Sequence, residues 1–431
     1  MGEGGASGTA RWLTGARQGP GAAAHTPRPV PLAAPRQAVA PEAATPSAET
    51  TLGALPADPE ERLPPGLAKL LVQRVRDGEG NQAFLLSGAV GGDELPYSDG
   101  PQLRPFTISL GRVRRDGAFP SQVYRAVQGW SRRQLPLVRW LNTLRARYGD
   151  ELHLVVWDDT DYDIPWEMLW LGPPESPGLP AGWLGALVPT ARWTTIREVE
   201  RPLLEGPAEC AGEVIGYFDG TMREDADAFR DFVHQRHEET SAFLAALDRV
   251  DRPPGMVYMG CHGTYGDGVD DLTVGLLTWY EMDEPMMSAL AGQNTLVLLN
   301  VCDSGRLVDN RDGGEDALRG FPELFLRKGA RACIATGGQV GETEARSLLA
   351  HLVEHARSTP ERPLARMLRD FRARAAADLP VPVPRTMRDD GAVDNEGQRQ
   401  VLRFLHQFMY VYYGHPLTTL RLTRRVQEGA P

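Results

Sequence analysis

A histidine and a cysteine each end a short apolar run and stand close to a glycine. The first run, Met256-Val-Tyr-Met-Gly-Cys, stops at His262-Gly263; the second, Thr295-Leu-Val-Leu-Leu-Asn-Val, stops at Cys302-Asp-Ser-Gly305. A thiol attacks as its thiolate, so it needs a base, and an imidazole titrating near neutrality can be that base and later protonate a leaving amine. The pair therefore reads as a nucleophile, Cys302, and its base, His262. Gly263 has no Cβ, so its N–H can approach a substrate carbonyl, and with the N–H of Cys302 it would form an oxyanion hole. Gly305 is expected to let the chain turn after the nucleophile. A lone cysteine or a lone histidine at a strand end would read as core; the matched context of the two favours chemistry.

Such a pair must be positioned by strands. Apolar runs of this length fit buried strands of a parallel sheet, and open α/β sheets bind ligands outside the carboxyl ends of their strands. Upstream, Gly66–Arg76, Gln82–Leu86, Arg104–Leu110 and Glu151–Trp157 read as strands, and Pro120–Tyr148 as one or two helices broken near Pro136. Residues 172–187 read as a loop. Downstream, Glu213–Phe218 reads as a strand ending in Asp219-Gly220, Ala226–Val250 as a helix, Leu272–Tyr280 as extended and Pro285–Gly292 as a short helix. Asp316–Lys328, Glu342–Arg357 and Pro363–Asp378 read as helices, Arg331–Thr336 as a strand, and Leu379–Arg399 as a loop carrying three prolines and many charges. Val401–Tyr413 and Thr418–Leu422 close the chain. Strands alternating with helices predict a parallel α/β sheet.

Of the first 65 residues, 34 are Ala, Gly or Pro, and Trp12 is their one aromatic. Such a stretch cannot offset its ordering entropy by burial, so residues 1–65 are expected to be disordered. The domain reading is then 1–65 tail, 66–205 N-terminal half, 206–425 catalytic half and 426–431 tail. The net charge of -11 argues against a nucleic-acid binder. No apolar run approaches the ~20 residues of a membrane helix, so no membrane association is expected. The N-terminus shows no charged region followed by an apolar stretch, and four cysteines with no C-x-x-C pair are too sparse for a disulfide scaffold. A cytoplasmic location is expected.

Cys-His-Gly after one strand and Asn-Val-Cys-Asp-Ser-Gly after the next resemble the CHAT branch of the caspase-like cysteine peptidases, relatives of separase, caspases and metacaspases. Phe321-Pro-Glu-Leu-Phe-Leu-Arg-Lys-Gly-Ala-Arg-Ala-Cys-Ile-Ala-Thr336 is similar to that family's helix, Gly-Ala turn and fifth strand. Phe408-Met-Tyr-Val-Tyr-Tyr-Gly414 looks like its closing strand, and Ile164-Pro-Trp-Glu-Met-Leu169 resembles a segment common before CHAT catalytic halves. The chain departs from the family at Gly337-Gly338-Gln339, where a bulky residue is frequent, and at His415, where an acidic one is. The resemblance implies a caspase-like, mostly parallel sheet flanked by helices, with residues 66–205 as an inert, pseudo-caspase-like half. It also implies a bacterial thiol endopeptidase with Cys302 as nucleophile and His262 as base, acting without cofactor or metal on a dedicated protein substrate. A gasdermin-like or other effector encoded nearby, in defence or regulated cell death, is the implied kind of partner.

Specificity is expected from the loops beside the nucleophile. Asp219, with Glu224 and Asp225 nearby, Asn300 and Asp303 read as a pocket for a basic residue, since a carboxylate binds a guanidinium through charge-assisted, bidentate hydrogen bonds. Arg223 in the same loop is the competing signal for an acidic residue. His234/His237 and His351/His355 have helical spacing suited to zinc, but solvated helix faces are the plainer reading. Trp157-Asp-Asp-Thr-Asp-Tyr-Asp163 reads as an acidic turn, lacking the Gly and terminal Glu of an EF-hand. The alternative to an enzyme is a silent caspase-like module that docks partners; retention of both dyad members favours the enzyme. A thiol oxidoreductase lacks a resolving cysteine at usable spacing.

Overall fold

The computed structural model describes residues 63–173, 178–196, 206–249, 253–310 and 317–426. Residues 1–62 and 427–431, which hold most of the two expected tails, lie outside the described residues. The architecture is a twelve-stranded, mostly parallel sheet flanked by helices. Its strands are β1 (Leu67–Arg76), β2 (Gln82–Val90), β3 (Asp93–Leu103), β4 (His153–Asp158), β5 (Thr190–Trp193) and β6 (Glu209–Phe218). They continue as β7 (His234–His237), β8 (Pro254–Gly260), β9 (Leu296–Asn300), β10 (Ala332–Thr336), β11 (Tyr410–Gly414) and β12 (Thr419–Leu422). The spatial order is β12-β6-β8-β9-β10-β11-β5-β4-β1-β2-β3, with β7 also pairing β6.

Strands β8, β9 and β10 are buried along their whole lengths. This is the reason they read as unbroken apolar runs: helices cover both faces of a parallel sheet, so no alternation is needed. By contrast β2 and β3 are antiparallel to their neighbours at the sheet edge, and half of β3 is exposed.

Both expected halves contribute to this one sheet, which crosses from one to the other where Tyr413 pairs with Arg192. The longer helices are α1 (Pro120–Ser131), α2 (Leu135–Tyr148), α3 (Thr240–Leu247), α4 (Phe321–Arg327), α5 (Glu342–Ser358), α6 (Leu364–Asp378) and α7 (Asn395–Phe408). Asp394 caps α7 by accepting from the Gly397 N–H at 3.0 Å. Its Val401, Phe404, Leu405 and Phe408 recur at helical spacing and are buried. They pack not with the core of the second half, to which they belong in sequence, but in that of the first, where the Phe404 ring lies 5.7 Å from those of Tyr124 and Trp183.

Several expected elements differ. The stretch expected as one helix over 226–250 is a 3₁₀ segment (Gly220–Phe229), strand β7 and helix α3. His234 and His237 thus sit in a strand, where residues three apart face opposite sides, and share no metal-binding face. Leu272–Tyr280 is a small hairpin, Thr273–Val274 with Leu277–Thr278, leading into a short helix capped by Thr278. Residues 285–292 form turns instead of a helix, and the strand expected at Arg104–Leu110 lies just earlier, as β3.

His415 follows β11, is 7% exposed, and accepts a hydrogen bond from the Leu417 N–H on Nδ1 at 3.2 Å. Burial, with His153 nearby, pushes its pKa down to about 4, and burial with Arg374 beside it does the same to His351. Unfolded histidine takes up a proton near pH 6.5, so the unfolded state gains protons that the folded state refuses. Stability is therefore full above pH 6.5 and falls as the pH drops toward 4. Melting temperatures measured from pH 7.5 to 4.5 should show this decline, with a shallower slope in a His415→Gln variant.

Candidate active site

His262 and Cys302 lie just past the ends of neighbouring parallel strands. Strands β8 and β9 pair in register from Met256↔Leu296 to Gly260↔Asn300. Two more residues along each chain bring His262 opposite Cys302. The two loops are also in contact: a Cβ on Gly263 would stand 2.5 Å from Val301 Cγ1 and 2.8 Å from the Cys302 carbonyl oxygen. Glycine at 263 is thus required by close approach. The sheet reverses its winding next to this pair, between β6 and β8, since β7 lies on the outer side of β6 and β8 on its inner side. Ligand crevices of α/β sheets form at such switch points.

The segment after Cys302 is pinned to the end of β10. The Asp303 N–H donates to the Gly338 oxygen at 3.0 Å, and the Gly305 N–H to the Thr336 oxygen at 2.7 Å. The Thr336 N–H donates to Ser304 Oγ at 3.2 Å, and the Tyr413 hydroxyl to the Gly305 oxygen at 2.9 Å. The sharp turn is made by Asp303, whose φ is 57°. Gly305 has a different task from the one expected: a Cβ there would meet Val411 Cγ2 at 2.8 Å and the Thr336 carbonyl at 3.1 Å. The Cys-Asp-Ser-Gly spacing is thus a left-handed turn followed by a close crossing under β10 and β11.

Cys302 is half-buried, while Cys210, Cys261 and Cys333 are buried. Burial pushes the Cys210 thiol up to about 12 and drives those of Cys261 and Cys333 higher still. The Cys302 Sγ lies 3.8 Å from the Val340 carbonyl oxygen. His262 is exposed, and its Nε2 lies 3.4 Å from Thr221 Oγ1. Thr221 was not marked by the sequence analysis; the signal available was its place two residues after Asp219 in the loop closing β6. Opposite Val274, Gly263 belongs to a pair in which the Gly275 N–H donates to the His262 oxygen at 2.7 Å. In that antiparallel pattern the Gly263 N–H points away from the hairpin.

Of the expected specificity residues, Asp219 alone stays at the rim, partly exposed, with Oδ1 accepting from the Gly220 N–H at 2.8 Å. Asn300 is 3% exposed. Its Nδ2 donates to the Tyr258 hydroxyl at 3.2 Å and its Oδ1 accepts from the Tyr410 hydroxyl at 3.0 Å. Asp225 is also buried, bound to the Tyr258 hydroxyl, and burial raises its pKa. Asp303 is buried with Oδ1 3.8 Å from Arg306 Nη1. The expectation that Asn300 and Asp303 line a substrate pocket is corrected: both side chains are engaged inside the fold. Arg223, the competing signal, pairs with Glu238 at 2.9 Å. In the acidic turn, Asp161 pairs with Arg74 and Asp163 with Arg306; among the described residues no group of three or more His, Cys, Asp or Glu could hold a metal ion.

Fold and site together define an α/β protein with a histidine and a cysteine just past the carboxyl ends of adjoining parallel strands. Residues 207–385, which contain both, match the CHAT domain family. No curated protein matches it in sequence. Similar solved structures include Saccharomyces cerevisiae separase in its complex with securin, at 14% identity and a TM-score of 0.36. A second structure of that complex gives 13% and 0.38. Each covers 62% of this chain, which spans 16% of the separase chain. The complex of the pro- and mature domains of Porphyromonas gingivalis RgpB is similar at 11% identity and a TM-score of 0.38, covering 69% of this chain and 70% of that one. Among the described residues no helix is long and apolar enough to cross a membrane.

Proposed function

We propose that the chain is a caspase-like cysteine endopeptidase working through a Cys302–His262 dyad. The observation that carries this is the register-matched placement of the two side chains on adjoining strand ends, with Cys302 the one cysteine of four that is not buried. In the reaction His262 takes the thiol proton and Sγ attacks the scissile carbonyl carbon. The developing oxyanion is held by the N–H groups of Gly263 and Cys302. Collapse breaks the C–N bond, the amine leaves with the proton from His262, and water then hydrolyses the thioester. The substrate is a dedicated protein partner, and a bacterial, cytoplasmic role in defence or regulated cell death, on an effector encoded nearby, is the setting the family resemblance favours.

The cut is proposed to follow arginine. Asp219 sits partly exposed at the rim beside the His262 strand, while Glu224 pairs with Arg346 at 3.0 Å and Arg223 with Glu238 at 2.9 Å. Profiling of new N-termini in a proteome digested by the protein should show arginine before the cut, and Asp219→Ala should reduce cleavage after arginine selectively. A dominant preference for aspartate would contradict this assignment.

A further inference from the structure

We propose that Asp163, in the half of the chain without the dyad, is a positioning residue for catalysis, acting through Arg306. The inference rests on the dyad reading above and adds a residue that neither motif contains. Arg306 lies four residues after Cys302, and its side chain is 6% exposed. Its Nε donates to Asp163 Oδ1 at 3.0 Å and its Nη2 to Oδ2, a two-pronged, charge-assisted pair. Its Nη1 lies 3.8 Å from Oδ1 of Asp303, the residue after the nucleophile. Its guanidinium also stacks on Tyr265, 3.4 Å from the ring centroid. Tyr265 is three residues after His262, and its hydroxyl donates to the Leu307 oxygen at 3.2 Å. One buried cation thus touches the loop after β4, the histidine loop and the nucleophile turn.

Backbone geometry singles out the same residues. Among the described residues three non-glycine residues have positive φ: Asp163 at 52°, Met287 at 51° and Asp303 at 57°. Two of them are the carboxylate partners of Arg306. Left-handed backbone persists where the surroundings over-determine it, and it gathers at functional sites. A buried ion pair adds little net stability compared with apolar packing, so its value here lies in fixing geometry. A displacement of 1 Å in a reacting group can cost on the order of 100-fold in rate.

The test uses the full chain and a fluorogenic peptide-amide library, with wild type and Cys302→Ala alongside. Asp163→Asn keeps the shape and drops the charge; Arg306→Lys keeps the charge and loses the fork. For Asp163→Asn the expected result is a kcat about 10- to 100-fold lower, KM within about threefold of wild type, and a cooperative melt. Arg306→Lys should lose less. Tyr265→Leu, which leaves the Asp163–Arg306 pair in place, provides an independent arm and should show the same split. A folded Asp163→Asn or Tyr265→Leu protein with wild-type kcat, or one altered in KM alone, would overturn the proposal while leaving the dyad intact. A wild type no more active than Cys302→Ala would overturn the dyad reading and this one with it.

Discussion

Cys302→Ala and His262→Ala should each lower peptide-bond cleavage by at least ~10³-fold while leaving thermal unfolding cooperative. Cys302 is the sole source of a thiol at the rim, since the other three cysteines are buried with their pKa values driven up. His262 is exposed and the Cys302 side chain lies against a carbonyl oxygen 3.8 Å away, so neither truncation opens a large cavity. The double variant should lose no more activity than either single one, because base and nucleophile act as a unit. Steady-state cleavage of a peptide library, with melting curves on the same preparations, checks both parts. Activity remaining within about tenfold in Cys302→Ala would assign the nucleophile elsewhere.

Glu167→Ala should destabilise the protein by about 3–5 kcal/mol, the cost of leaving a buried cation unpaired. Glu167 is 1% exposed and lies in the Pro-Trp-Glu segment of the first half. Its Oε1 accepts from Arg192 Nε at 2.9 Å, and Arg192 Nη2 also donates to the Ile164 oxygen at 3.0 Å. Burial alone would raise its carboxyl, but Arg192 outweighs burial and holds it below the ordinary range. Arg372 of α6 is fully buried close by, its pKa pushed down by burial to about 10. It donates one hydrogen bond, from Nη2 to the Tyr410 oxygen, while its Nε and Nη1 have none. Without Glu167, the buried Arg192 and Arg372 would lose the carboxylate that offsets both charges at the seam between the halves. Denaturant titration of Glu167→Ala against wild type measures the loss; a change below about 1 kcal/mol would mean that the charges are compensated in another way.

Buried strands and their ends were legible because a strand covered on both faces must be continuously apolar, and β8, β9 and β10 are. The proposal of a dyad rests on the residue types at those ends. What the sequence hid was made by tertiary pairing. Strand β7 consists of His-Gln-Arg-His, with no apolar run; it exists because its backbone pairs with β6 from Val214↔His234 to Tyr217↔His237. The reading of Asn300 and Asp303 as pocket residues failed for a related reason. Asn300 and Asp303 flank Cys302 in sequence, but strand alternation sends Asn300 inward to two tyrosines, and the left-handed turn sends Asp303 toward Arg306. Helix α7 was obscured by the prolines and charges before it, although its spacing of Val401, Phe404, Leu405 and Phe408 is visible once the Asp394 cap is recognised.

The most direct test of the central claim is peptide mapping after treatment with an arginyl chloromethyl ketone peptide. The expected result is a single adduct on Cys302 in wild type, abolished by prior denaturation and strongly reduced in His262→Ala. Equal labelling of all four cysteines, or Cys302 labelling unchanged in His262→Ala, would contradict the account.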